Sequence, residues 1–190
     1  MANMRIKSRS LFFSAFFKNP KELGSITPSS KFLVREFIRS IDLNNAKYIA
    51  EYGAGTGVIT EQILANSRAD AVILSFEING HFFDYLRSNI KDKRLILIKD
   101  DAQNIRKHLK KRNIDKLDCV VCALPFSTLG SQKKEKIFRE TKTALKDGGQ
   151  FIFVRFFPNF ETDLNKHFPK NSMKFVMLNL PPSMIYICSK

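Results

Sequence analysis

The stretch Glu51-Tyr52-Gly53-Ala54-Gly55-Thr56-Gly57 decides how the rest of the chain is read. It closes the apolar run "KYIAEYG" (47–53) and leads into a helical pattern that begins near Gly57. A glycine-rich turn between strand and helix lets the backbone approach a ligand closely, because no Cβ intervenes. The dinucleotide fingerprint G-x-G-x-x-G/A does not fit, since Val58 stands where its last glycine belongs. The spacing is instead G-x-G-x-G, with an acid two residues before the first glycine.

Outward from that turn, short β-branched or apolar runs alternate with helical segments. The runs are "AVILSFE" (71–77), "RLILIKD" (94–100), "LDCVVCAL" (117–124) and "GQFIFVRF" (149–156), and helices are expected near Gly80, Ala102 and Ser131. Such alternation predicts βαβ units and a parallel sheet covered on both faces. "MKFVMLNL" (173–180) and "MIYICS" (184–189) are separated only by Pro181-Pro182-Ser183. That link is too short for a crossover, so the last strand must run antiparallel to its neighbour. The expected fold is α/β and Rossmann-like, with a seven-stranded, mostly parallel sheet. Ahead of the first strand, Thr27 and Pro28 suit the N-cap and first position of a helix whose apolar face is Phe32, Leu33, Phe37, Ile38 and Ile41.

Length and composition set the bounds. A chain of 190 residues with 44% hydrophobic residues suits one domain with a real core. No apolar run approaches the roughly 18 residues of a membrane span. Leu11 to Phe17 could be a signal-peptide core, but Lys18-Asn19-Pro20 follows where small residues should stand, so a cytoplasmic location is expected. The net charge of +14 suits a polyanion, either nucleic acid or an anionic membrane surface. Cys119 and Cys122 have C-x-x-C spacing, yet three residues along a strand they face opposite sides, and no metal is expected. His81, His108 and His167 read as scattered and partnerless.

The glycine turn and its acid resemble motif I of the class I S-adenosylmethionine-dependent methyltransferases. The resemblance implies that cofactor, with S-adenosylhomocysteine as product. It places Glu51 near the ammonium group, the Gly53, Ala54, Gly55 and Gly57 backbone along the cofactor, and Glu77 with Ile78 at the ribose. It puts Asp101 and Ala102 at the adenine, with Ser30, Ala123 and Leu124 completing the site. Acids at three successive strand ends would converge on one crevice at the carboxyl edge of the sheet.

Amino-methylating members carry a motif such as N-P-P-Y or N-L-P-Y after the fourth strand. Here the sequence is Ala123-Leu124-Pro125-Phe126. Ala123 has no side-chain carbonyl to position a planar exocyclic amine, which removes a recognition element for nucleobases. Phe126 could stack on a base, line an apolar channel or pack in its loop.

As a whole the chain resembles the bacterial phospholipid N-methyltransferases of the soluble, peripherally bound type. The resemblance rests on "NPKELGSITPSS", "EYGAGTGVIT", "FEIN", "DDA", "VVCALPFS" and "LNLPPSMIY". It implies methylation of the amine head group of phosphatidylethanolamine, up to three times, with ornithine lipid as an alternative acceptor. Pro125, Phe126 and Tyr52 are the candidates for the amine site, and Asp100, Tyr52 and Glu22 stay open as general base. Phe156-Phe157-Pro158 departs from a Tyr-Gly-Pro-like turn and leaves the acceptor and the number of transfers open.

The domain is expected over 25–190, behind an amphipathic N-terminal segment at 1–24. There Phe12 and Phe16, and Phe13 and Phe17, stack at i, i+4 beside cations that include Arg9 and Lys18. That describes an interfacial membrane helix, a lid, or both, on a monomer held at the inner face of the cell membrane with an anionic phospholipid surface as partner. The competing readings are a ribosomal RNA adenine N6-methyltransferase and a catalytically silent membrane tether.

Overall fold

The computed structural model describes residues 31–126, 128–155, 161–178 and 182–190. The expectations for residues 1–30, with Glu22, Thr27, Pro28, Ser30 and the cluster from Arg9 to Lys18, lie outside the described residues. So do those for Phe156-Phe157-Pro158 and for Leu180-Pro181.

Helix α1 (Lys31–Arg39) buries Leu33, Val34, Phe37 and Ile38. Phe32, expected on that face, is 52% exposed. The 3.6-residue period explains the correction: 34, 37, 38 and 41 form one stripe and Phe32 stands opposite it. After α1 come β1 (Tyr48–Tyr52), α2 (Val58–Asn66), β2 (Val72–Phe76), α3 (Gly80–Asn89) and β3 (Leu95–Ile98). A 3-10 turn (Ala102–Asn104), α4 (Ile105–Lys111), β4 (Leu117–Cys122) and α5 (Ser131–Ala144) follow. The chain continues through β5 (Leu145–Arg155), α6 (Glu161–His167), β6 (Lys170–Val176) and β7 (Ser183–Ser189).

The seven strands form one sheet in the order β3-β2-β1-β4-β5-β7-β6. β1 to β5 pair in parallel, whereas β7 is antiparallel to both β5 and β6. β6 therefore points the same way as the parallel strands, and its carboxyl end lies on their edge of the sheet. The strand order reverses between β1 and β4, which opens a crevice at the carboxyl end of β1.

Two apolar layers cover the sheet. On one face Ala50, Tyr52, Leu74, Val120 and Cys122 pack against Ile105 and Leu109 of α4 and Ile137 and Phe138 of α5. On the other Ile49, Ile73, Cys119 and Val121 pack under Leu33 and Phe37 of α1 and Ile63 of α2. Cys119 and Cys122 thus lie in opposite layers, and burial pushes both thiols up, that of Cys122 to about 12.

Candidate active site

The crevice is built on the turn after β1. Gly53 N and Ala54 N both donate to Phe76 O, at 2.9 and 3.1 Å, which fixes the turn against the end of β2. Gly53, Gly55 and Gly57 have φ of 80°, 54° and 84°, a left-handed region that glycine enters at little cost. Their surroundings differ. A Cβ at Gly57 would come within 2.6 Å of Leu86 Cδ2, so this glycine lets α2 and α3 approach each other. A Cβ at Gly55 would meet nothing within 4 Å, so it borders open space.

Two acids hold the turn from beneath. Glu51, on β1, is fully buried, and its Oε2 accepts from Thr60 Oγ1 at 2.7 Å and Ser75 Oγ at 2.6 Å. Its Oε1 has no hydrogen-bond partner among the described residues. Burial pushes the carboxyl up to about 7, against the two hydroxyl donors, and the charge of Glu77 adds to the rise. Glu77, just after β2, accepts from Gly55 N at 2.7 Å through Oε2 and from Asn79 N at 2.7 Å through Oε1. Burial raises its pKa as well, opposed by those backbone donors. Beside it Ile78 is 66% exposed, an apolar side chain standing at the strand ends.

After β3, Asp101 caps the 3-10 turn: its Oδ1 accepts from Gln103 N at 3.0 Å. Its Oδ2 lies 2.5 Å from Lys133 Nζ of α5. Ala102 is buried below. After β4, Ala123 N donates to Tyr52 O at 2.9 Å, so Ala123 extends the sheet edge rather than projecting a polar group. A Cβ at Gly53 would come within 3.0 Å of Leu124 Cδ2, so this loop lies directly against the glycine turn.

A family model for the methyltransferase small domain matches residues 23–176. The chain belongs to this family. It is a methyltransferase that uses S-adenosylmethionine. An ornithine lipid N-methyltransferase of Singulisphaera acidiphila is 29% identical over 180 residues, covering 94% of each chain. Ribosomal RNA small subunit methyltransferase A of Persephonella marina is 29% identical over 86 residues, 45% of this chain and 32% of that protein. The crystal structure of precorrin-6y C5,15-methyltransferase from Geobacter metallireducens shares the fold with a TM-score of 0.65 at 15% identity, covering 87% of this chain and 94% of that one.

The crevice of this methyltransferase fits the cofactor. Gly55 leaves room for it, Glu51 Oε1 is a buried acceptor available to a cation, and Ile78 offers an apolar face. Glu77, held between two backbone donors, keeps acceptor capacity for hydroxyls.

Two expected amine-site residues are elsewhere. Tyr52 is fully buried, its ring lies edge-on to Phe76, and its hydroxyl accepts from Thr141 Oγ1 at 3.3 Å. Burial raises its pKa above that of an ordinary phenol, so it is a core residue and no base. Phe126, 2% exposed, stacks on Phe138 at 5.3 Å and meets Phe153 edge-on at 5.5 Å, so of its open roles it fills the packing one. Asp100 also fails as a base. It pairs with His108 Nε2 at 2.7 Å and accepts from Asn104 Nδ2 at 2.8 Å, and these contacts hold its carboxyl at about 2. His108 is therefore not partnerless, and neither is His167, which lies 2.9 Å from Glu135 Oε2.

Proposed function

We propose that this methyltransferase acts on the primary amine of a membrane lipid. The carrying observation is the reach of the likeness to the ornithine lipid enzyme, which spans nearly the whole of both chains. The match to the ribosomal RNA enzyme covers under half of this one. Ala123 supports the same reading, because a site for a nucleobase amine gains from a side-chain acceptor at that position.

Glu51, the 53–57 backbone, Glu77, Ile78, Asp101, Ala102 and Leu124 would hold S-adenosylmethionine, which supplies an already activated sulfonium methyl when bound. The chain's own work is then to align a neutral amine with that methyl and to exclude water. Ala123 and Leu124 lie against Gly53, and with Pro125 they would form the wall along which the amine is aligned. Asp100 and Tyr52 are committed to the fold and Glu22 lies outside the described residues. Of the remaining routes we propose loss of the ammonium proton to water, so the initial rate rises with pH. Phosphatidylethanolamine is the acceptor that the resemblance in the sequence implies, and ornithine lipid is the one favoured by the likeness over nearly the whole of both chains.

The test uses radiolabelled cofactor in three tubes, holding phosphatidylethanolamine vesicles, ornithine-lipid vesicles and unmodified small ribosomal subunits. Label in either lipid supports the proposal and names the acceptor. Label in RNA with unlabelled lipid overturns it.

A further inference from the structure

The two buried acids of the crevice are supported unequally. Glu77 accepts a backbone N–H at each carboxyl oxygen, from Gly55 and from Asn79. Glu51 takes both of its donors, Thr60 Oγ1 and Ser75 Oγ, at Oε2, and Oε1 has none among the described residues. Nor does any of those residues offer it a countercharge. Its strand neighbours are Ser75 on β2 and Val121 on β4, and Leu33 and Phe37 of α1 and Ile63 of α2 cover that face. The charged groups of those helices stand outside: Lys31, Arg35, Arg39 and Glu61 are exposed, and Glu36 pairs with Arg39 and with Lys174 of β6. Glu77 is the charged group that bears on Glu51, and its charge has the same sign. An ionised Glu51 would therefore be a buried, uncompensated charge, a state that a neutral carboxyl avoids. Oε2 already accepts two hydroxyl protons, so a further proton belongs on Oε1.

We propose that Glu51 carries this proton in the free protein and gives it up when S-adenosylmethionine binds, so that cofactor binding expels a proton. The inference rests on the crevice holding the cofactor and is independent of the acceptor. The O–H bond at Oε1 breaks and its proton leaves to the buffer. The cofactor's ammonium keeps its own protons and donates a hydrogen bond to the freed Oε1. One positive charge replaces another, and the net charge of the buried site does not change. S-adenosylhomocysteine carries the same ammonium, so the proton follows occupancy of the crevice and not methyl transfer. Acid therefore weakens cofactor and product alike. Burial, with the charge of Glu77 added, pushes Glu51 up to about 7, which brings the exchange into an accessible range of pH.

The experiment titrates cofactor into the full chain at pH 6 in phosphate and in imidazole, buffers whose own heats of ionisation differ. The two binding heats should differ by the amount for nearly one proton released, falling to about half a proton near pH 7. Cofactor affinity should rise about tenfold per pH unit up to about pH 6.5 and then level off. This range lies below about 7.7–8.0, where an α-amino group titrates by itself. S-adenosylhomocysteine should release the same proton, and 5′-methylthioadenosine, which lacks the ammonium, should release none. Glu51→Gln should bind with equal heats in both buffers. Ser75→Ala removes a donor that favours the carboxylate and should move half-release to higher pH. Infrared difference spectra need no variant: the carbonyl stretch of a protonated carboxyl should vanish from the parent on cofactor addition. Equal heats from the parent in the two buffers, with that stretch unchanged, overturn the proposal. So does undiminished release from Glu51→Gln, or release with S-adenosylmethionine but not S-adenosylhomocysteine, which would assign it to the sulfonium. A parent that fails to bind in either buffer sinks the cofactor site and the proposal with it, whereas binding without release sinks the proposal alone.

Discussion

At the ends of β1 and β2, Glu51 and Glu77 are 0% and 7% exposed; at the end of β6, Phe175 and Met177 are 54% and 75% exposed. One region buries carboxyl groups and the other exposes apolar side chains, each against the usual partition. Between them the sheet obeys it, with Tyr52, Phe126, Phe138 and Phe153 in one closed aromatic layer. The difference teaches where to look for function in this fold. Residues that conflict with their surroundings border the crevice or stand on the open edge strand, and residues that agree with them hold the sheet together.

The largest expected effect falls in the obedient region. Phe126→Ala removes a ring stacked on Phe138 and should cost about 3–5 kcal/mol in urea denaturation, chiefly as lost packing. A stable variant with lost turnover would break the comparison, by returning Phe126 to the acceptor site. Next is the pH profile of stability. Glu51 is held near 7 in the folded protein against 4.5 in an open chain, so the folded state carries more protons between those values. Stability must then fall as pH rises from about 5 to 7, by a total on the order of 3 kcal/mol. Glu51→Gln should flatten that fall, and an unchanged slope would remove the buried acid from the account.

A smaller effect separates the glycines. Gly57→Ala drives a methyl toward Leu86 and should cost about 2 kcal/mol. Gly55→Ala, in open space, should cost about 1 kcal/mol from backbone strain alone. Equal losses of stability would blur the division between a packing glycine and a binding one.

Much of this was legible before any coordinates. The strands fall on the β-branched runs, although β5 starts at Leu145 rather than near 149 and β6 spans Lys170–Val176 rather than 173–180. The link from Val176 to Ser183 is still too short for a crossover, so the reversal of β7 holds. The acid-plus-glycine turn located the crevice, because backbone conformation there is a local property of glycine. What escaped depends on distance in sequence. Ser75 and Thr60 clamp Glu51 from 24 and 9 residues away, and the lone hydroxyl inside "AVILSFE" was the signal available for the first. Lys133 reaches Asp101 from α5, which no local pattern announces. Tyr52 and Phe126 read as site residues because their motifs end at the crevice, yet strand alternation turns Tyr52 into the opposite layer from Glu51.

The central claim, that the crevice over Glu51, Gly55 and Glu77 binds S-adenosylmethionine, is tested most directly by titrating the cofactor into the purified chain in a calorimeter. The account predicts saturable binding near one equivalent by the parent. Glu77→Ala should weaken it roughly 10–100-fold, the loss expected when hydrogen bonds to a charged acceptor disappear. Gly55→Ala should lose most of the affinity while remaining folded at the titration temperature. No heat of binding from the parent at any accessible concentration would contradict the account.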